Sequence, residues 1–160
     1  MIRMTKVTDY GIVLLAELAR DWETGPHNAR ELAEDVHLPA PMVSKILKTM
    51  ARGGLVRSQR GSHGGYELAT APQDLTVADI IHVLEGPVAL TQCTESLSLC
   101  DHQAECTISL PWLVINRAVQ TALGAVTLAD LIRPNFGDPH GLLHISSTTP
   151  ISSTTPTSSA

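Results

Sequence analysis

The stretch NARELAEDVHLPAPMVSKILKTMARGG, residues 28 to 54, constrains the fold more than any other, because so little chain joins its two helical patterns. Asn28 is a natural cap for the first pattern, which turns Leu32 and Val36 inward. In the second, Pro41 suits a first helical turn, Val43, Ile46, Leu47 and Met50 form one apolar stripe, and Gly53 or Gly54 ends it. Only HLPA is left between them. Two short helices with so tight a joint describe a helix-turn-helix. The next segments read as a strand (LVRSQR), a glycine loop (GSHGG) and a returning strand (YELAT), which together predict a β-hairpin directly after the second helix.

The flanking segments are helical. TDYGIVLLAELARDW places Ile12, Leu15, Ala16, Ala19 and Trp22 near a helical period, with Thr8 as the expected cap and Asp9 in the first turn. DLTVADIIHVLEG starts at a Thr76 cap and carries Val77, Ile80, Ile81 and Leu84. LPWLVINRAVQTALGAVTLADLI runs Trp112, Ile115, Val119, Leu123 and Val126 along one side, a long amphipathic helix suited to packing on a second subunit. The expected fold is mainly α with a small β-hairpin wing: a winged helix-turn-helix over residues 1–87, a cysteine loop over 88–108, and a dimerisation helix with a short C-terminal helix over 109–134. Residues 135–160 contain ISSTTP twice in succession and carry only one charge, Asp138; they read as a disordered tail.

Charge placement points to a partner. The net charge is −5, yet nine of the eleven Lys and Arg residues precede residue 61. Between Met42 and Arg60 stand Lys45, Lys48, Arg52, Arg57 and Arg60, with no acid. A cationic stripe on an acidic chain is an electrostatic footprint for phosphate. With the helix-turn-helix, it predicts double-stranded DNA as the partner. Met42, Ser44, Lys45 and Lys48 would face a major groove, and Arg60, Ser62 and His63 at the wing tip would approach a minor groove. No nucleophile–base pair or phosphate-binding glycine loop suggests an enzyme, and no small-molecule substrate is expected. The absence of an apolar leader or a membrane-length apolar run leads us to expect a cytoplasmic protein without membrane association.

All three cysteines lie in CTESLSLCDHQAEC, with six residues between Cys93 and Cys100 and five between Cys100 and Cys106. An odd count in a reducing compartment argues against a disulfide framework. Three soft thiolates suit an iron–sulfur cluster, or zinc with His102 as fourth ligand; idle thiols are the remaining reading.

The segments MTKVTDYG, LPAPMVSKILKTMARGGLV, RGSHGGYELA, VADIIHVLEGPVALTQC and INRAVQTALGAVTLADL together resemble the Rrf-type family of iron–sulfur winged-helix transcription regulators over about residues 1 to 134. Within it the chain looks most like the proteobacterial regulators of Suf-type cluster-assembly operons. The resemblance implies a 2Fe–2S or 4Fe–4S cluster on Cys93, Cys100 and Cys106, a homodimer, and a repressor whose operator affinity follows the state of the cluster. In Isc-type members the fourth ligand is a histidine three residues after the last cysteine; here that residue is Ser109. In nitric-oxide-sensing members it is an aspartate in a TKxTD sequence given by the partner subunit, and TKVTD puts Asp9 in that place. His102, Glu105 and Glu95 are the alternatives. The competing functions are a nitric-oxide or redox sensor with other targets, and a zinc-stabilised or metal-free DNA-binding protein.

Overall fold

In the computed structural model, residues 4–61, 64–91, 94 and 106–134 are described. The elements in chain order are α1 (Lys6–Arg20), α2 (Ala29–Asp35), α3 (Ala40–Arg52), β1 (Val56–Gln59), β2 (Gly65–Leu68), a 3-10 turn (Pro72–Asp74), α4 (Val77–Glu85), α5 (Ser109–Gly124) and α6 (Leu128–Leu131). This is the expected winged helix-turn-helix, helical apart from one antiparallel hairpin. The proposed tail and most of the cysteine loop lie outside the described residues.

The α2–α3 joint is built by the chain's own hydrogen bonds. Asn28 accepts from the Arg30 N–H at 2.9 Å and caps α2. At the other end His37 adopts φ +54°, its N–H donating to Glu34 O at 3.2 Å, and Leu38 N–H donates to Ala33 O at 2.9 Å. This is a Schellman ending with histidine in the left-handed position that glycine usually takes. Pro39 then starts α3. The ending of α3 repeats the motif with the usual residue: Gly54 sits at φ +78° and Leu55 N–H donates to Met50 O at 3.0 Å. The α3 stripe is buried as the period requires, through Val43, Ile46, Leu47 and Met50.

The hairpin pairs Val56 with Leu68 and Gln59 with Gly65. Val56 and Leu68 are buried, so one end of the wing is anchored in the core. A third edge is added by His27, which exchanges backbone hydrogen bonds of 2.9 and 2.8 Å with Tyr66.

Helix α1 differs from the sequence expectation at its start. Thr5, not Thr8, is the N-cap residue, and Thr8 is fully buried inside the helix. The inward face is Thr8, Gly11, Leu14, Leu15, Leu18 and Ala19. Ile12 packs only partly on the core, and Trp22 is exposed. The run IVLLAELA offers apolar residues on several faces, so packing chooses the one that meets α3 and α4.

Helix α4 is held by a capping box, Thr76 with Asp79, and α6 by a second one, Thr127 with Asp130. The two caps lie side by side: Val77 N–H donates to Val126 O at 2.9 Å and Leu128 N–H to Leu75 O at 2.8 Å. Helix α6 therefore returns to the winged body after α5, and its Leu128 is buried in the same cluster as Leu14 and Ile46. Full burial of such a side chain contributes about 1.5–3 kcal/mol.

Three successive residues of α4 tie the body together. Val83 covers Gly53 at the end of α3, so closely that a Cβ there would collide with the Val83 methyls. Leu84 covers Gly11 of α1, where a Cβ would lie 2.5 Å from Leu84 Cδ1. Glu85 accepts hydrogen bonds from Thr5 N–H at 2.7 Å and from the Thr8 hydroxyl at the start of α1.

The two glycine contacts differ in what an added methyl would do. At Gly11 the obstacle is the mobile end of a leucine, and alanine gains about 1 kcal/mol of helix propensity; Gly11→Ala should leave the urea unfolding midpoint nearly unchanged. At Gly53 the obstacle is a stiff β-branched side chain whose Cβ itself would lie 3.1 Å away. Gly53→Ala should destabilise by about 1–3 kcal/mol, with Val83→Ala in the same chain recovering part of the loss.

The Thr8 hydroxyl, aided by the Thr5 N–H, holds the Glu85 carboxyl below its ordinary pKa, and the Thr127 backbone N–H does the same for Asp130. The unfolded chain takes up protons on these groups first as pH falls. Their stabilisation is thus complete above the ordinary carboxylate range and is lost as pH drops through their lowered values. Chemical denaturation between about pH 6 and pH 3 should show a steeper acid decline for the parent than for Glu85→Gln.

Candidate nucleic-acid interface and cysteine loop

The outward side of α3 follows from its inward one. With Val43, Ile46, Leu47 and Met50 buried, Met42, Lys45, Lys48 and Arg52 are exposed and Ser44 is half-buried. Arg52 Nε donates to Lys48 O at 3.3 Å, which keeps the guanidinium along the helix end. Among the described residues the ion pairs are Glu17–Arg20, Arg30–Glu34 and Asp130–Arg133. None involves Lys45, Lys48, Arg52, Arg57 or Arg60. Among the described residues, three cations on α3, Arg57 on β1 and Arg60 just beyond it thus have no ion-pair partner, as a phosphate-binding face requires. Arg60 is exposed at the end of β1; Ser62 and His63 lie outside the described residues.

Beside Met42 and Lys45, an apolar groove of about 370 Å³ separates α3 from the first turns of α1. Lys6, Val7 and Tyr10 form its other wall. Lys6 adds a cation at the rim that the stripe from Met42 to Arg60 did not include; its signal is its place beside the cap of α1.

At the cysteine loop the structure describes the anchors. Asn116 is buried in α5, its Oδ1 accepting from Leu90 N–H at 3.0 Å and its Nδ2 donating to Val88 O at 3.1 Å. Gln120 Nε2 donates to the same carbonyl at 3.0 Å. Thr94 closes a turn on Thr91, its N–H donating to Thr91 O at 3.0 Å. These contacts clamp the chain just before Cys93 to α5. Asn116 was not singled out from sequence; an amide amid LVINRAVQ, on an otherwise apolar face, is its only mark.

Cys106 is half-buried immediately before α5, with a free thiol, and its carbonyl accepts from Ser109 Oγ at 3.2 Å. Ser109, where Isc-type members carry histidine, is thus engaged on the backbone. Cys93, Cys100, His102, Glu105 and Glu95 lie outside the described residues. Asp9 is exposed on the first turn of α1, and among the described residues its side chain makes no hydrogen bond or ion pair. The donor set of three thiolates fits an iron–sulfur cluster, and Cys106 is accessible enough to serve in one.

Helix α5 buries only Asn116. Leu110 and Val114 are each 71 % exposed, and Ile108 and Ile115 are exposed too. Of the run expected to pack on a second subunit, Trp112, Val119, Leu123 and Val126 are half-buried within the chain and Ile115 is exposed. No helix among the described residues is long and apolar enough to cross a membrane.

Comparison with known proteins agrees with this architecture. The family model of Rrf2, described as an iron-dependent transcriptional regulator, matches residues 4–134. The transcriptional regulator CymR of Bacillus subtilis is 32 % identical over 129 residues, covering 81 % of this chain and 88 % of its own. Protein rrf2 of Nitratidesulfovibrio vulgaris is 28 % identical over 132 residues, covering 82 % and 88 %. Among solved structures, that of CymR, described as the global cysteine regulator of B. subtilis, superposes with a TM-score of 0.68 at 29 % identity, covering 82 % of this chain and 97 % of that one. T. potens IscR superposes at 0.63 with 30 % identity, covering 82 % and 86 %. With its helix-turn-helix, wing and cationic face, and a family match spanning all but the chain's ends, the protein belongs to the Rrf2 family of DNA-binding transcriptional regulators.

Proposed function

We propose that this regulator works as a cytoplasmic homodimer that grips operator DNA with α3 and the hairpin, and that an iron–sulfur cluster on Cys93, Cys100 and Cys106 sets its operator affinity. The target is a Suf-type cluster-assembly operon, which the protein represses. The observation that carries the DNA reading is the row of exposed Lys45, Lys48 and Arg52 opposite the buried stripe of α3, without an ion pair among the described residues. The dimer reading rests on α5, whose Ile108, Leu110, Val114 and Ile115 form an apolar surface that a second copy would cover.

The cluster reading rests on the donor set and on how the loop is mounted. Asn116 and Gln120 fix the chain before Cys93, and Ser109 fixes the carbonyl of Cys106. Both ends of the loop are therefore seated on α5. When bound, a cluster supplies a link sensitive to oxidation and nitric oxide. The exposed Asp9 carboxylate of the partner's α1 is the proposed fourth ligand, with His102 and Glu105 as the alternatives. Such a ligand would join one subunit's loop to the helix that packs behind the other's DNA-reading pair, so loop state and operator affinity become linked equilibria.

A second reading has support in the superposition on CymR, the global cysteine regulator of B. subtilis. In that reading the protein keeps the fold and the DNA contacts and answers to another signal, with zinc or no metal on the loop. A nitric-oxide or redox sensor with other targets is a variant of the cluster reading. Anaerobic purification with visible absorption and counts of iron, sulfide and zinc separates these. Iron and sulfide in step support the cluster; a colourless protein, even after reconstitution with both, leaves the second reading.

Two variants follow. Lys45→Ala and Lys48→Ala should weaken DNA binding and each lower the slope of log affinity against log salt by about 1, measured by fluorescence anisotropy. An unchanged slope in both would remove α3 from the phosphate contacts. Asp9→Ala should change the visible spectrum of the anaerobically loaded protein or speed its bleaching in air; identical spectra and bleaching would transfer the fourth ligand to His102 or Glu105.

A further inference from the structure

Glu85 stands where its own helix does not favour it. A carboxylate on the last residue of α4 faces the negative end of that helix's macrodipole. Among the described residues it makes no ion pair, and its hydrogen bonds all go to α1.

The start of α1 explains the arrangement. Helices α4 and α6 open with the same device, a threonine cap and an aspartate three residues on, whose carboxylate accepts from the cap's N–H and hydroxyl. Helix α1 has the threonine cap, Thr5, but three residues on it has Thr8, and the side chain of Thr5 makes no cap hydrogen bond. The missing carboxylate comes from 80 residues away: Glu85 Oε1 accepts from Thr5 N–H at 2.7 Å, the bond that Asp79 and Asp130 make in their own boxes. Thr8, fully buried, turns its hydroxyl to the same oxygen. An independent feature brings the groups together. Gly11 leaves room for Leu84, so α4 lies close enough to α1 for the next residue to reach the first turn.

We propose that Glu85 is a positioning residue for operator recognition: it completes, from α4, the N-terminal cap that α1 lacks, and so fixes the first turn of α1 beside the leading end of α3. That turn carries Lys6 and Val7, which with Tyr10 form the groove wall facing Met42 and Lys45. Without the cap the first turn frays, and Lys6 at the groove rim loses its fixed place beside Met42 and Lys45.

The test uses the full-length protein without metal, so that it stands apart from the cluster reading. Glu85→Ala removes the acceptor, Glu85→Gln keeps one, and Thr8→Val removes the hydroxyl at nearly constant volume. In hydrogen exchange, the bonded amides at the start of α1, those of Thr5 and Asp9, should exchange about tenfold faster in Glu85→Ala and Thr8→Val, the size expected for a lost cap, while those of α3 and the hairpin keep their rates. Glu85→Gln should fall between these and the parent. Binding to a duplex selected by the parent from random sequence should weaken severalfold, to about tenfold, in the two cap-breaking variants, with Glu85→Gln closer to the parent. Binding to an unrelated duplex of equal length should change less, because Lys45, Lys48, Arg52, Arg57 and Arg60 are untouched and only Lys6 sits on the frayed turn. Three results would overturn the proposal: unchanged exchange at Thr5 and Asp9, faster exchange spread over all helices in Thr8→Val as well, or local loosening with undiminished binding to the selected duplex. Should Glu85→Ala fail to fold, Thr8→Val decides on the same three readings.

Discussion

Contact between the end of α4 and two other helices is the constraint from which the rest of the body follows. Successive residues of a helix point about 100° apart, so Val83, Leu84 and Glu85 fan over more than half of its circumference. They meet the end of α3, the middle of α1 and the start of α1 in turn. Two of these contacts are steric, of which the one with Val83 needs glycine opposite; the third is polar and needs a buried hydroxyl. Together they set the distance and angle between α3 and the helix behind it. A body held in this way does not need a large core, and the buried cluster is correspondingly modest and aliphatic.

The division of labour along the surface follows from the same arrangement. The stripe of α3 that faces α1 and α4 is apolar, so the cations of that helix have only the outside to occupy. Helix α5, by contrast, fully buries a single amide and leaves Leu110, Val114 and Ile115 in solvent. One helix is thus finished within the chain and presents charge, and the other is unfinished and presents apolar surface. Nucleic acid complements the first, and in the proposed homodimer a second copy would complement the other.

Most of this was legible from the residues wherever the governing interactions are local. The α3 stripe came out residue for residue, because a single strong period leaves one choice of face. The Thr76 cap and the hairpin were equally plain, since cap and turn chemistry span only a few positions. The start of α1 was misread for the complementary reason. Thr8 has the identity of a cap, and what withdraws it from that role is Glu85, far away in the chain. The face of α1 was only partly legible, as its leucine-rich run satisfies several phases at once. Asn116 escaped notice because its partners are the carbonyl and amide of an irregular segment, which no periodicity reports. The family resemblance named the cysteine loop, whereas its mounting on α5 is visible only in three dimensions.

The paired caps at Thr76 and Thr127 have a mechanical consequence. The excursion made by the cysteine loop and α5 leaves the body at the C-terminal end of α4 and is pinned again beside its N-terminal end. Those two points are about 13 Å apart along a helix of nine residues. Helix α5 also packs on α4 itself, so it is not joined to α4 at a single hinge. A shift of α5 therefore reaches α4 directly. Because α4 grips α1 and α3 through consecutive residues, such a shift moves its contacts with both helices in the same stroke.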